Sequence, residues 1–257
     1  MSWARPKKQV DELAAQLDAA IPGDFAATHR LYYKLSNLNR AKPGDHKTLV
    51  SLAQAALAIG KKSDASEFAA SLLRIHGALD DELINHLAIL LACLGDAEKA
   101  WDILFPRVHN DASGALLSNL GRIGLLLGDM DRMRQLADLE EKRGGNNLVA
   151  LAAIQILDSN PNADFWSVFA STLRSLTRPY QVYASSGIQG EEENGEASLV
   201  YVTYVLASEV DRRALSRKIF DALEQAAVER GLEPAGLFPS CDFHILSLAN
   251  QNALSTV

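Results

Sequence analysis

The apolar positions of this chain change their rhythm once. Up to residue 178 they fall in amphipathic helical runs separated by glycine-containing corners, and from Pro179 they take the denser Val/Tyr/Thr pattern of strands. Residues 7–21 and 24–40 predict two amphipathic helices, and "AKPGDH" after them a loop. Beyond the Gly144-Gly145 break, "NNLVALAAIQIL" is apolar nearly all round, which predicts a helix covered on both sides. "SNPNADFWSVFASTLRSL" then supplies a turn, with Asn162 or Ala163 opening a helix that carries Phe165, Trp166 and Phe169.

The C-terminal rhythm predicts a small α/β unit over residues 179–257. "YQVYASSGI" and "SLVYVTYVLA" are rich in residues that favour a pleated surface. Asn194-Gly195 between them is a turn signal, so the pair reads as an antiparallel hairpin with an acidic tip at Glu191, Glu192 and Glu193. Residues 209–230 predict a helix with Leu215, Ile219, Ala222, Leu223 and Ala226 on one face, ended by Gly231. "CDFHILSLAN" completes the order strand, strand, helix, strand. So small a unit buries little core alone, so it is expected to lean on the helix at 163–177.

The corners of the first 178 residues recur. "AIGKKSDASEFAASLL", "CLGDAEKAWDILFPRV" and "LLGDMDRMRQLADLEE" place glycines at Gly60, Gly95 and Gly128, separated by 35 and 33 residues. A weaker copy puts Gly23 a further 37 residues upstream. Each glycine is suited to the left-handed conformation that ends a helix. Asp24, Asp96 and Asp129 follow where a carboxylate can cap the next helix. Five residues beyond the glycine, Ala65 and Ala100 permit close helix approach; Met133 stands there in the third copy and requires a reshaped contact.

This pattern resembles the tetratricopeptide repeat family, whose motif has a small residue in the first helix, a glycine at the corner and an alanine in the second helix. Leu52-Ala53, Leu87-Ala88 and Leu120-Gly121 match the small pair, the three glycines match the corner, and Ala65 and Ala100 match the alanine. The early tryptophan is replaced by Leu49, Ile84 and Leu117, and the closing proline is missing, so the repeats are degenerate. The resemblance implies a mostly α chain: residues 1–178 as a solenoid of helical hairpins, then the α/β unit. It also implies a ligand groove on the concave face, lined by the first helix of each pair. The groove positions fall on Lys47, Val50 and Gln54, on Asn85, His86 and Ile89, and on Ser118, Asn119 and Arg122. Among them Asn85, Ser118 and Arg122 carry amide, hydroxyl and guanidinium groups able to read a peptide backbone or carboxylate.

Composition narrows the job. A formal charge of −7 opposes a general affinity for nucleic acid. The distant pair Cys93 and Cys241 suggests free thiols in a reducing compartment. No secretory h-region follows the basic start and no apolar run is long enough to span a bilayer, so a cytoplasmic protein without membrane contact is expected. No cofactor or metal motif is present; His76 and His86 lie on different helices. The glycines of "SSGIQGEEENG" lead into a strand, unlike a phosphate cradle. Cys241, Asp242 and His244 form the one local cluster of reactive types, yet strand alternation sends the thiol and the imidazole to opposite faces. Arg212, Arg213, Arg217 and Lys218 line a basic stripe interleaved with Glu209, Asp211, Asp221 and Glu224, an ion-pair surface. The expected role is a non-catalytic scaffold or chaperone-like adaptor for a peptide or protein partner, with self-association through the C-terminal hairpin as a further contact. The alternative is a small catalytic or effector unit at the C-terminus, its target positioned by the repeats.

Overall fold

The computed structural model describes residues 6–20, 24–108, 113–142, 149–158, 165–190, 197–205, 209–232 and 241–247. Gly23, the Gly144-Gly145 break, the turn at Asn162 and Ala163, the acidic tip and the Cys241 side chain lie outside the described residues. The described part is mostly helical. In chain order the helices are α1 Pro6–Ala20, α2 Phe25–Ala41, α3 His46–Ala58, α4 Lys62–Leu73, α5 Asp81–Cys93, α6 Ala97–Leu104, α7 Gly114–Leu127, α8 Met130–Lys142, α9 Val149–Asp158, α10 Phe165–Thr177 and α11 Glu209–Glu229. The strands are β1 Gln181–Gly190, β2 Ala197–Val205 and β3 Cys241–Ser247.

The corners form as their sequences require. Gly60, Gly95 and Gly128 have φ of 79°, 89° and 67°. After α3, Gly60 N–H donates to the Leu57 carbonyl and Lys61 N–H to that of Ala56; Gly95 and Asp96 repeat the pattern on Ala92 and Leu91. These paired bonds satisfy the last carbonyls of each helix. The third corner differs: Gly128 N–H is shared between Gly124 and Leu125. Asp24 and Asp129 cap the next helix as expected, accepting from Ala27 and Arg132 N–H at 2.8 and 3.0 Å. Asp96 does not cap, because its carboxylate is drawn to Lys99 at 3.1 Å and Arg178 at 3.9 Å. Met133 is accommodated by a compensating exchange: a Cβ at Gly124 would collide with its sulfur, so the small residue sits on α7 instead. Gly121 serves the same end toward α9, where a Cβ would come within 2.9 Å of Val149.

Each odd helix up to α7 packs on the even helix after it, and α1, α3, α5, α7 and α9 touch in succession. One hydrophobic cluster runs from Leu13 in α1 to Ile245 in β3 without a break. α9 lies between α7 and α8 on one side and β1 and β2 on the other, which explains its all-round apolar sequence. α10 docks on α7: the buried Trp166 donates from its indole nitrogen to the Leu125 carbonyl at 3.1 Å, and Ser167 Oγ donates to the Gly128 carbonyl.

The sheet order is β1-β2-β3, with β1 antiparallel and β3 parallel to the central β2. α11 makes the crossover between the parallel pair. Register places Ser186, Tyr201 and Phe243 on one face, and Ala184, Thr203 and Ile245 beside them. Phe243 contacts Phe169 of α10 and Phe220 of α11, so both helices cover this face. The sheet therefore leans on α10, as its small size requires. It also leans further than α10: β1 packs across α3, α5, α7 and α9.

Candidate functional site

The face shared by α3, α5 and α7 is divided along its length. On the C-terminal turns, β1 lies against the helices. The Cys93 thiol at the end of α5 points to the Ala184 carbonyl, 3.8 Å away, and Ser186 Oγ donates to the Arg122 carbonyl at 2.6 Å. Burial pushes the Cys93 thiol up to about 12, so it is packing and not a nucleophile. Ile89 and Cys93 follow Asn85 on the same side of α5, one and two turns further along. The sheet thus takes the second half of the face on which the sequence places a ligand groove.

The polar residues lie on the first turns and the middle of these helices. Lys47, Gln54, Asn85, His86, Ser118 and Asn119 are half-buried, and Arg122 is exposed. They meet as pairs bridging successive odd helices. Lys47 Nζ reaches Asp11 of α1 at 2.8 Å, and this hydrogen bond, more than any other cause, raises the lysine above its ordinary range. Gln54 Nε2 of α3 lies 3.2 Å from His86 Nδ1 of α5, and with the amide as donor the imidazole carries its proton on Nε2. Asn119 Nδ2 of α7 donates to Asn85 Oδ1 of α5 at 3.1 Å. Ser118 precedes Asn119 on α7, and Arg122 stands one turn on, where β1 begins to cover the helix. Asp11 and Ser186 belong to this surface and escape a reading based on period, since neither lies on the helices that carry the glycine corners.

The even helices have links of their own. Tyr32 OH of α2 donates to Asp64 of α4 at 2.7 Å, and Arg132 of α8 pairs with Glu98 of α6. Burial, then the Asp64 bond, raises Tyr32 above its ordinary range.

Asp242 and His244 near the C-terminus stay on the outer face of the sheet. Asp242 Oδ2 and His244 Nε2 are 3.4 Å apart and both exposed, as strand alternation dictates. On the basic stripe of α11, Arg213, Arg217 and Lys218 are exposed, while Arg212 turns inward to donate to the Ile245 carbonyl at 3.1 Å. His76 binds the Leu73 carbonyl through Nδ1 at 2.7 Å. Among the described residues no helix is long and apolar enough to cross a membrane. Set against known proteins, the chain matches no family model, no curated protein and no solved structure.

Proposed function

We propose that residues 7–178 form an α-solenoid of the tetratricopeptide class, and that the chain is a non-catalytic scaffold. Its partner is an extended peptide segment of another protein, lying across the polar row of α3, α5 and α7. The observation that carries this reading is the Asn85–Asn119 bridge in its half-buried row. One hydrogen bond uses one of two lone pairs on Asn85 Oδ1 and one of two amide hydrogens on Asn119. The bond fixes both side chains while leaving donor and acceptor capacity facing outward, which a peptide backbone can complete at little entropic cost. Arg122, exposed at the border with β1, adds a guanidinium for a carboxylate of the partner.

The repeat class is supported by the side-chain links. Tyr32–Asp64 and Gln54–His86 join residues 32 apart, and Asn85–Asn119 and Glu98–Arg132 residues 34 apart. A cytoplasmic setting belongs to the same proposal. The test is a displayed peptide library selected on the full-length chain, with the enriched peptides measured by calorimetry. The comparison variant is Asn85→Ala with Ser118→Ala and Arg122→Glu, shown folded by circular dichroism. Expected is a loss of at least about tenfold in affinity, the equivalent of one well-made hydrogen bond to the peptide. Equal affinity for parent and variant refutes the site, and enrichment of no peptide refutes the function.

A further inference from the structure

A cleft of about 470 Å³ opens where the corner after α5 meets α10 and the inner face of β1 and β2. This size is ordinary for a small-molecule site. Tyr201, 1% exposed, is its floor, and Ala92, Ala97, Leu126 and Ala184 make apolar walls. The opposite side is cationic: Arg174 on α10 and Arg178, just past the end of that helix, line it together with Ser171 and Ser175. Lys62 arrives from α4 and donates to the Arg178 carbonyl at 3.1 Å.

Charge around the cleft is unbalanced. Asp96 lies 3.9 Å from Arg178 but is already held by Lys99 at 3.1 Å. Arg174 is half-buried, and among the described residues it has no carboxylate at ion-pair distance. Among the described residues Arg174 and Arg178 line the cleft against Asp96 alone, which Lys99 already holds, so its wall carries excess positive charge in a chain whose total is −7. Lys62 beside it is held below its ordinary range, first by burial and then by the charge of Arg178, with Asp96 acting the other way.

We infer that this cleft binds a small phosphomonoester, its phosphate held by Arg174, Arg178 and the Ser175 hydroxyl, and its apolar body resting on the alanine and leucine walls. Ser171 Oγ already donates to the Val168 carbonyl at 2.9 Å, but two guanidinium forks and the Ser175 hydroxyl still supply more donors than a single carboxylate can accept, and the excess positive charge favours the more highly charged phosphate. The inference is independent of the peptide surface, because the cleft shares no side chain with the polar row.

The test is calorimetric titration of the full-length chain with phenyl phosphate, inorganic phosphate and benzoate. Expected is saturable binding of phenyl phosphate with a Kd of about 0.1–1 mM, and binding about tenfold weaker for each of the others. Arg174→Gln and Ser175→Glu should each weaken phenyl phosphate at least about tenfold, while Arg134→Gln on α8 leaves it unchanged. Ser175 is exposed, so Ser175→Glu retains the fold and decides the matter if Arg174→Gln does not fold. The inference is overturned by an absence of saturable binding, by benzoate binding as tightly as phenyl phosphate, by unaltered binding in the folded cleft variants, or by an equal loss in Arg134→Gln.

Discussion

Between α2 and α8, side-chain bonds from one helix to the next helix of its row span 32 or 34 residues. The bonds that attach the C-terminal part span far more: 41 for Trp166–Leu125, 64 for Ser186–Arg122, 91 for Cys93–Ala184 and 116 for Lys62–Arg178. Both regions are equally well buried, with Leu52, Leu87 and Leu120 on one side and Leu199, Tyr201 and Ile219 on the other each at 1% exposure or less. The difference lies in what each contact waits for. A corner needs only its own two helices, whereas β1 needs four odd helices already in place. The sheet is therefore a dependent structure, and the helix pairs are its template.

Removing the seam tests that dependence most strongly. Trp166→Ala deletes a fully buried indole and its bond to Leu125, and should lower unfolding free energy by about 3–5 kcal/mol in urea titrations. If the sheet depends on the helices, far-ultraviolet circular dichroism and the fluorescence of Trp101 shift together. Separate transitions would break the comparison.

A smaller effect separates the corners. At Gly128 a Cβ would lie 2.9 Å from the Ser167 backbone and 3.0 Å from Ala170, besides the cost of φ at 67°. At Gly44, φ is 86° but nothing lies within 4 Å. Gly128→Ala should cost about 3 kcal/mol and Gly44→Ala about 1, by chemical denaturation. Equal costs would mean that α10 yields freely at the third corner.

Much of the helical region was legible because its signals are local. The three glycines, the small pairs and the aspartate caps all act within a few residues, and they set element boundaries to within one or two residues. The strands and α11 were legible for the same reason: Val, Tyr and Thr alternation and the face Leu215, Ile219 and Leu223. The destination of β1 was not legible. Ala184 and Ser186 are small residues whose meaning comes only from what they rest on, and no period links them to Cys93 or Arg122. Nothing in the sequence therefore signals that β1 lies against part of the candidate face. Its pairing was also hidden, since an amide's partner on the next helix cannot be read from its own neighbours. Asp96 does not cap because Lys99, three residues on, holds its carboxylate at 3.1 Å, with Arg178 a more distant partner at 3.9 Å.

A pH experiment probes one junction within the helical region. Glu140 of α8 is fully buried and accepts from Leu151 N–H at the start of α9 at 2.8 Å. Burial, the largest cause, raises its carboxyl above the usual 4.5 despite that bond and a second from Ala150. Between 4.5 and the raised value the folded chain keeps a proton that the unfolded chain has lost. The contribution to stability is thus complete below that window and declines as pH rises through it. Relative to Glu140→Gln, the Tm of the parent should improve as pH falls from 7 toward 4.5, and a constant difference would refute the assignment.

The smallest effect is expected on the even helices. Glu98→Gln weakens an exposed pair with Arg132, which Asp129 also holds at 3.3 Å, so the loss should stay below about 1 kcal/mol in thermal melts. A larger loss would show that surface links, and not the corners, set the register of the pairs.

The thiol of Cys93 has a history as well as a position. Its cover, Ala184, is made 91 residues later, and at about 5–20 residues per second a ribosome takes about 5–20 s to produce it. During that interval the nascent α5 presents an ordinary thiol, with acidity near 8.5. Once β1 settles, the same group is sealed and pushed to about 12. Alkylation of Cys93 is thus a clock on synthesis: chains arrested before residue 184 should react within seconds to minutes, and released chains hardly at all.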